Sequence, residues 1–114
     1  MNGGIKNISK QEILELKKQV GYLEHQVVSK TLVQNAYVSM TLFAFDKEEE
    51  ISTHTSTGDA FVLCLDGKGE ITVDDETFFL VEGQSIVMPS EPPHSVYGVE
   101  KFKMLLVVVF PTEK

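Results

Sequence analysis

The sequence is poor in cysteine, in basic residues and in long apolar runs, and each shortage removes a class of protein. Cys64 is the only cysteine, so neither an intrachain disulfide nor a cysteine-based zinc finger can form. Lys and Arg number 10 against 17 Asp and Glu, a formal net charge of -7. Phosphate backbones and anionic bilayers are held by clustered basic side chains, so the expected partners include no nucleic acid and no membrane. The acidity reads as a solubility device. The longest apolar run, Met104 to Phe110, falls far short of the ~20 residues of a membrane-spanning helix. The N-terminal segment has no apolar core of the signal-peptide kind, and the expectation is a cytoplasmic, reducing setting.

What is present suits one globular domain. The chain has 114 residues, 42% of them apolar. At this length folding removes roughly two-thirds of the unfolded surface, enough for one modest core. Residues 1–8 read as a loose arm. Ser9-Lys10-Gln11-Glu12 is a capping box, and Ile13, Leu14 and Leu16 continue it as a short amphipathic helix ending near Gly21. This predicts residues 1–25 as arm and short helix, and 26–114 as the body of the fold.

From Gln26 onward the texture is β. Gln26–Val33 and Tyr37–Phe45 are rich in Val, Thr, Leu and Phe, with Asn35 as turn chemistry between them. Asp46–Glu50 is a charged loop without the ligand spacing of a calcium loop. Ala60–Leu65 reads as a buried strand stopped by Asp66-Gly67-Lys68-Gly69. Asp74-Asp75 predicts a hairpin between Glu70–Asp74 and Thr77–Val81. Ser85–Met88, His94–Val99 and Phe102–Phe110 complete roughly eight strands, an all-β sandwich or barrel. Residues beyond 25 carry no helical period, repeat or low-complexity tract.

The last strand is apolar on both faces: Met104, Leu106 and Val108 on one, Leu105, Val107 and Val109 on the other. A half-solvated strand alternates with polar residues, so both faces are predicted to be covered. One face fills the barrel. The other meets either the N-terminal segment or a second subunit, and a homodimer is the favoured expectation.

Two segments carry the chemistry. His54, Ser56, Ala60 and Gly67 form the first, and Gly83, Pro89 and His94 the second. Their spacing resembles the two motifs of the cupin superfamily, over about residues 36–110. The resemblance implies a cupin-like jelly-roll β-barrel, in the manner of a small single-domain conserved-barrel cupin. It also implies a pocket where His54, Ser56, Ala60 and His94 converge, with Val62, Cys64 and Val96 as apolar wall.

Departures from the motifs matter as much. Ser56 stands where cupins carry a second histidine and Ala60 where they carry a glutamate. Glu91 replaces a motif glycine, Gly98 replaces an asparagine, and Glu48 stands at the leading glycine. Three histidines and a glutamate make the usual cupin metal centre, so His54 and His94 are an incomplete metal site. Catalytic zinc takes three protein ligands, and the iron facial triad needs two histidines and a carboxylate. Asp59 belongs to the opposite strand face unless a bulge turns it inward, and Cys64 lies roughly 13 Å along the strand from Ala60. The cofactor expectation is none required, or a weakly bound divalent transition metal.

Three readings of His54 and His94 stay open. They can be polar residues at a barrel mouth bonded to each other or to water. They can orient a small polar molecule in a metal-free pocket, since Ser56 and Ala60 leave volume where a metal centre would sit. Or they can hold a metal with an unidentified third donor, in an enzyme of the dioxygenase or sugar isomerase/epimerase type that the resemblance allows. No serine-hydrolase motif frames Ser56. Cys64 reads as a buried, inert thiol with no neighbouring positive charge to lower its pKa.

Overall fold

The computed structural model describes residues 4–111. Its strands are β1 (Val27–Gln34), β2 (Val38–Phe45), β3 (Glu50–His54), β4 (Asp59–Val73), β5 (Glu76–Val81), β6 (Ser85–Met88) and β7 (His94–Val109). All pairings are antiparallel, in the order β1-β2-β7-β4-β5, with β3 on β7 and β6 on β4. This is a jelly roll. Asn35 makes the expected turn: its Oδ1 accepts the backbone N–H groups of Tyr37 and Val38 at 2.8 and 3.1 Å.

Two long strands replace four expected short ones. β4 runs through Asp66–Gly69 rather than stopping there, and β7 runs from His94 to Val109 without a break. They pair from Asp59↔Val109 to Val73↔His94, with bulges between Cys64 and Asp66 and between Gly67 and Gly69. The turn-forming residues therefore bend the strand instead of ending it. Gly67 has φ 75, and a Cβ there would collide with the Lys101 carbonyl oxygen. A Cβ on Gly69 would enter the Phe102 ring, which is fully buried at the bend. The bend folds the β4–β7 ribbon over a core containing Phe45, Val62, Ile71, Phe102 and Met104. β3, which follows the charged segment, was not expected as a strand: Glu50–His54 has a single apolar residue, Ile51, and no alternation to signal one.

The N-terminal segment is a strap, not a helix. Only Leu16–Lys18 form a single 3-10 turn, and Gln11 takes φ 61, off the helical path. Ile13, expected on the apolar face, is fully exposed. Residues 6–7 are not loose either: Lys6 N–H donates to Leu32 O at 2.8 Å and Asn7 Nδ2 to Thr31 O at 2.6 Å. Residues 1–3 of the arm lie outside the described residues. Ile8, Leu16, Val20 and Tyr22 pack on Leu42, Ala44, Leu63 and Leu105 of the outer sheet face. A short helix is marginal on its own. An extended strap reaches across more of the sheet per residue, and the apolar burial along it outweighs the local helical signal.

Polar contacts fasten the strap at its far end. Tyr22 Oη donates to Asp66 Oδ2 at 2.6 Å, Lys103 Nζ donates to Lys17 O at 2.6 Å, and the ammonium groups of Lys101 and Lys103 lie over the Tyr22 ring. The strap covers only the lower part of the outer face. In the next row up, Val87–Phe61–Val107–Met40 across β6, β4, β7 and β2, Val107 and Met40 are half-buried at the edge of that cluster while Val87 and Phe61 are exposed, at 55% and 38%. On β7 itself Leu105 is buried, Val107 half-buried and Val109 57% exposed, so the second face of β7 is covered in part only.

The bend yields a prediction. Gly67→Ala should cost about 4 kcal/mol, combining a left-handed non-glycine residue with a backbone collision. Gly83→Ala shares the positive φ, 92, but its Cβ meets nothing within 4 Å, so it should cost only about 1–2 kcal/mol. Denaturant midpoints at unchanged m value check the difference; equal losses would show that the bend tolerates a side chain.

Candidate functional site

The folded ribbon brings its two ends together around one cavity of about 240 Å³. Ala60, Met104, Leu106 and Val108 line it from one end, and His94 and Val96 from the other. Phe43 of β2, Ile51 of β3 and Met88 of β6 close the sides, and His54 and Ser56 stand at the same cavity. Residues more than thirty positions apart meet because β7 contributes both walls of the pocket.

The histidines are cross-strand partners. His54 ends β3 and His94 opens β7, and their Cα atoms are in register. The rings lie 4.4 Å apart between centroids, edge to face at 68°. Pro92 and Pro93 lead the chain into His94, and the Pro93 carbonyl accepts the Asp74 N–H at 2.9 Å. This ties the loop to the β4–β5 hairpin. His54 Nδ1 lies 2.9 Å from Ser52 O, and His94 Nδ1 lies 3.3 Å from Pro92 O. His94 is buried and His54 is exposed. Burial is the main influence on the His94 imidazole and holds its pKa below the usual 6.5; the neighbouring His54 pushes the same way, and the Pro92 carbonyl opposes them.

The structure brings His54, Ser56, Ala60, His94 and Val96 to the cavity. Val62 and Cys64 do not line it. Both are buried deeper in the same core, and the Cys64 thiol points toward the bulge, 3.5 Å from Asp66 O. Burial pushes that thiol up to about 11, which keeps it protonated and inert at neutral pH. Six apolar lining residues escaped the sequence reading: Phe43, Ile51, Met88, Met104, Leu106 and Val108. Alternation marks Met104, Leu106 and Val108 as one face of β7. Nothing local marks Phe43, Ile51 or Met88, which the sheet topology delivers.

The donors present do not make a metal centre of the cupin kind. Among the described residues no three His, Cys, Asp or Glu side chains are grouped to hold a metal ion. Asp59 is not turned inward: it is exposed, and its Oδ1 accepts the Ser90 N–H at 3.0 Å. The Ser56 hydroxyl is engaged by its own turn, 3.2 Å from Gly58 N and 3.3 Å from Gly58 O. His25 stands apart beside Glu24 and Asp46. Two imidazoles without a carboxylate match neither a tetrahedral nor a facial-triad site. Glu91 takes φ 87, the conformation that explains the glycine of the cupin motif at this place.

The buried imidazole has a stability consequence. With its folded pKa depressed, His94 leaves stability intact above the unfolded value near 6.5 and lowers it as pH falls through the folded pKa. Wild type should lose melting temperature as pH falls below about 6.5, and His94→Asn should show a flatter curve there. Parallel curves would refute the assignment.

The cupin domain profile matches residues 41–110. No curated protein matches the chain. A conserved protein of unknown function from Streptococcus pyogenes has a solved structure with 47% identity and a TM-score of 0.94, and the alignment covers 96% of each chain. A cupin superfamily protein from Desulfitobacterium hafniense has 32% identity and a TM-score of 0.90 over 94% of this chain and 98% of its own. A cupin 2 conserved barrel domain protein from Leptotrichia buccalis has 41% identity and a TM-score of 0.82, over 84% of this chain and 47% of its own. With the bent β4–β7 ribbon, the two histidines at their motif positions and a profile match over more than half its length, this chain belongs to the cupin family.

Proposed function

We propose that this cupin binds a small molecule inside the barrel without a tightly held metal. The observation that carries the reading is the cavity of about 240 Å³ with two imidazoles and an otherwise largely apolar wall. Concave, mainly apolar pockets with a few placed polar groups are the usual form of small-molecule sites. Ser56 and Ala60 are smaller than the histidine and glutamate of the motif and leave that volume open. The lining favours a molecule with an apolar body and a polar end over a sugar that is polar all round. The metal-dependent enzyme reading needs a third donor, and no described residue is grouped with the histidines to supply one.

Ligand binding to the folded state alone raises stability by linkage, about 2.7 kcal/mol at a hundredfold excess over Kd, or roughly 10 °C at this size. A screen of small organic molecules should find such a shift, and Ala60→Leu, which fills the cavity, should abolish it while leaving the protein folded. A screen in which no chemical class moves the melting temperature would remove the reading. Metal content of protein purified without a histidine tag should be well below one equivalent; near-stoichiometric Fe, Mn, Ni or Zn would favour the enzyme instead.

We also infer that a second copy of this chain covers the Val87–Phe61–Val107–Met40 row, whose Val87 and Phe61 are exposed and whose Val107 and Met40 are half-buried. The row is uncharged on a chain of net charge -7, so two copies meet there with least repulsion. It also continues the apolar face that the strap has already covered. Sedimentation should give a dimer mass, and Phe61→Glu should give a folded monomer. A wild-type protein that sediments as a monomer would defeat this.

A further inference from the structure

The mouth of the cavity defines the chemistry of its occupant; the argument rests on the small-molecule reading above. A carbonyl oxygen only accepts hydrogen bonds. The ring nitrogens facing Ser52 O and Pro92 O are the Nδ1 atoms of His54 and His94, so both carry their hydrogen on Nδ1. In the neutral form that burial favours for His94, the remaining Nε2 is a lone-pair acceptor. Among the described residues no buried side-chain nitrogen or oxygen lacks a partner. The His94 Nε2 makes no protein hydrogen bond, so it opens onto the cavity that this residue lines.

The rest of the described wall offers no counter-charge. Among the described residues no Lys, Asp or Glu lines the cavity, and the chain contains no arginine. A carboxylate entering this space would shed its hydration and meet the His94 lone pair with no charged donor, the Ser56 hydroxyl being engaged by Gly58, and so would be an uncompensated buried charge. A hydroxyl or N–H group would meet a matching lone pair. A dry cavity of ~150 Å³ accommodates benzene, so the present one has room for on the order of ten non-hydrogen atoms.

We propose that the pocket selects a neutral molecule of this size, with an apolar body seated against Met88, Met104, Leu106 and Val108 and a single hydroxyl or N–H donor held by the His94 Nε2. Selection is then by donor against acceptor: an alcohol, phenol or amide N–H is admitted, and the carboxylate of the same skeleton is refused.

The test uses three probes of one skeleton, benzyl alcohol, toluene and benzoate, in calorimetric titrations of the full chain near about pH 8, where histidine is neutral. Benzyl alcohol should bind best, at least about tenfold tighter than benzoate. In His94→Phe its advantage over toluene should shrink, while toluene binding persists and reports an intact cavity. If benzoate binds best, the donor-headed class is overturned and the barrel remains a small-molecule site. If none of the three binds, the donor-headed proposal falls, and the broader screen of chemical classes decides the small-molecule reading. Imidazole ¹⁵N–¹H correlation spectra give a check independent of any ligand: both rings should show the Nδ1–H tautomer, and a His94 ring protonated on Nε2 would overturn the proposal.

Discussion

The pairing of β4 with β7, and the bend built into it, is the constraint on which the rest of the molecule depends. Two strands of 15 and 16 residues stay in register through two bulges. A straight ribbon of that length would hold its ends some 50 Å apart at ~3.3 Å per residue. Folded at Gly67 and Gly69, it brings Ala60 and Val108 against the same cavity as His94 and Val96. The buried Phe102 ring fills the inside of the bend, packed in a tilted pair with Phe45 at 5.4 Å between centroids, so the ribbon is packed in its bent form. The pocket is thus a consequence of where the chain has room only for glycine.

The two faces of the sheets are handled differently. The inner face divides between a packed core around Phe45, Val62, Ile71 and Phe102 and an unfilled space nearer the histidines. The outer face divides between rows sealed by the strap and a row left partly open. Sealing comes from apolar side chains at intervals along an extended segment, fastened where Tyr22 meets Asp66 and Lys103. Burial and the Asp66 carboxylate both raise the Tyr22 pKa, so its hydroxyl remains a donor to Asp66 at neutral pH.

These features were unequally legible in the residues. Strand texture, the Asn35 turn and the two motif histidines were readable because they rest on local chemistry: β-branched runs, an amide that caps its own turn, glycine and proline at fixed spacing. The continuity of β4 through Asp66–Gly69 was not, because the same residues that end a strand also make a bulge, and only the Phe102 ring and the Lys101 carbonyl decide between them. The capping box at Ser9–Glu12 is a sound helix-start signal overridden by the sheet surface waiting beneath it. At the site, Ser56, Ala60 and His94 were readable from motif position. Val62 and Cys64 were placed on the wall by the resemblance and by sharing a strand face with Ala60, but that face runs on past the cavity into the packed core, where both are buried.

The departures from the metal motif are mutually consistent, and that consistency is the main physical argument about this site. Loss of a ligand by itself would leave charged or polar remnants in a buried space, at a cost of several kcal/mol each if unpaired. Here the positions are refilled by a serine bonded into its own turn and an alanine flush with the wall, and no buried polar side-chain atom among the described residues is left unsatisfied. Asp59, the one nearby carboxylate, is engaged outside the cavity by the Ser90 N–H. The two imidazoles that remain are each oriented by a backbone carbonyl two residues earlier, a local device that needs no cation to hold the ring in place. Such a site is self-consistent as a largely apolar cavity with two carbonyl-oriented imidazoles at its edge, and among the described residues no third His, Cys, Asp or Glu is grouped with them.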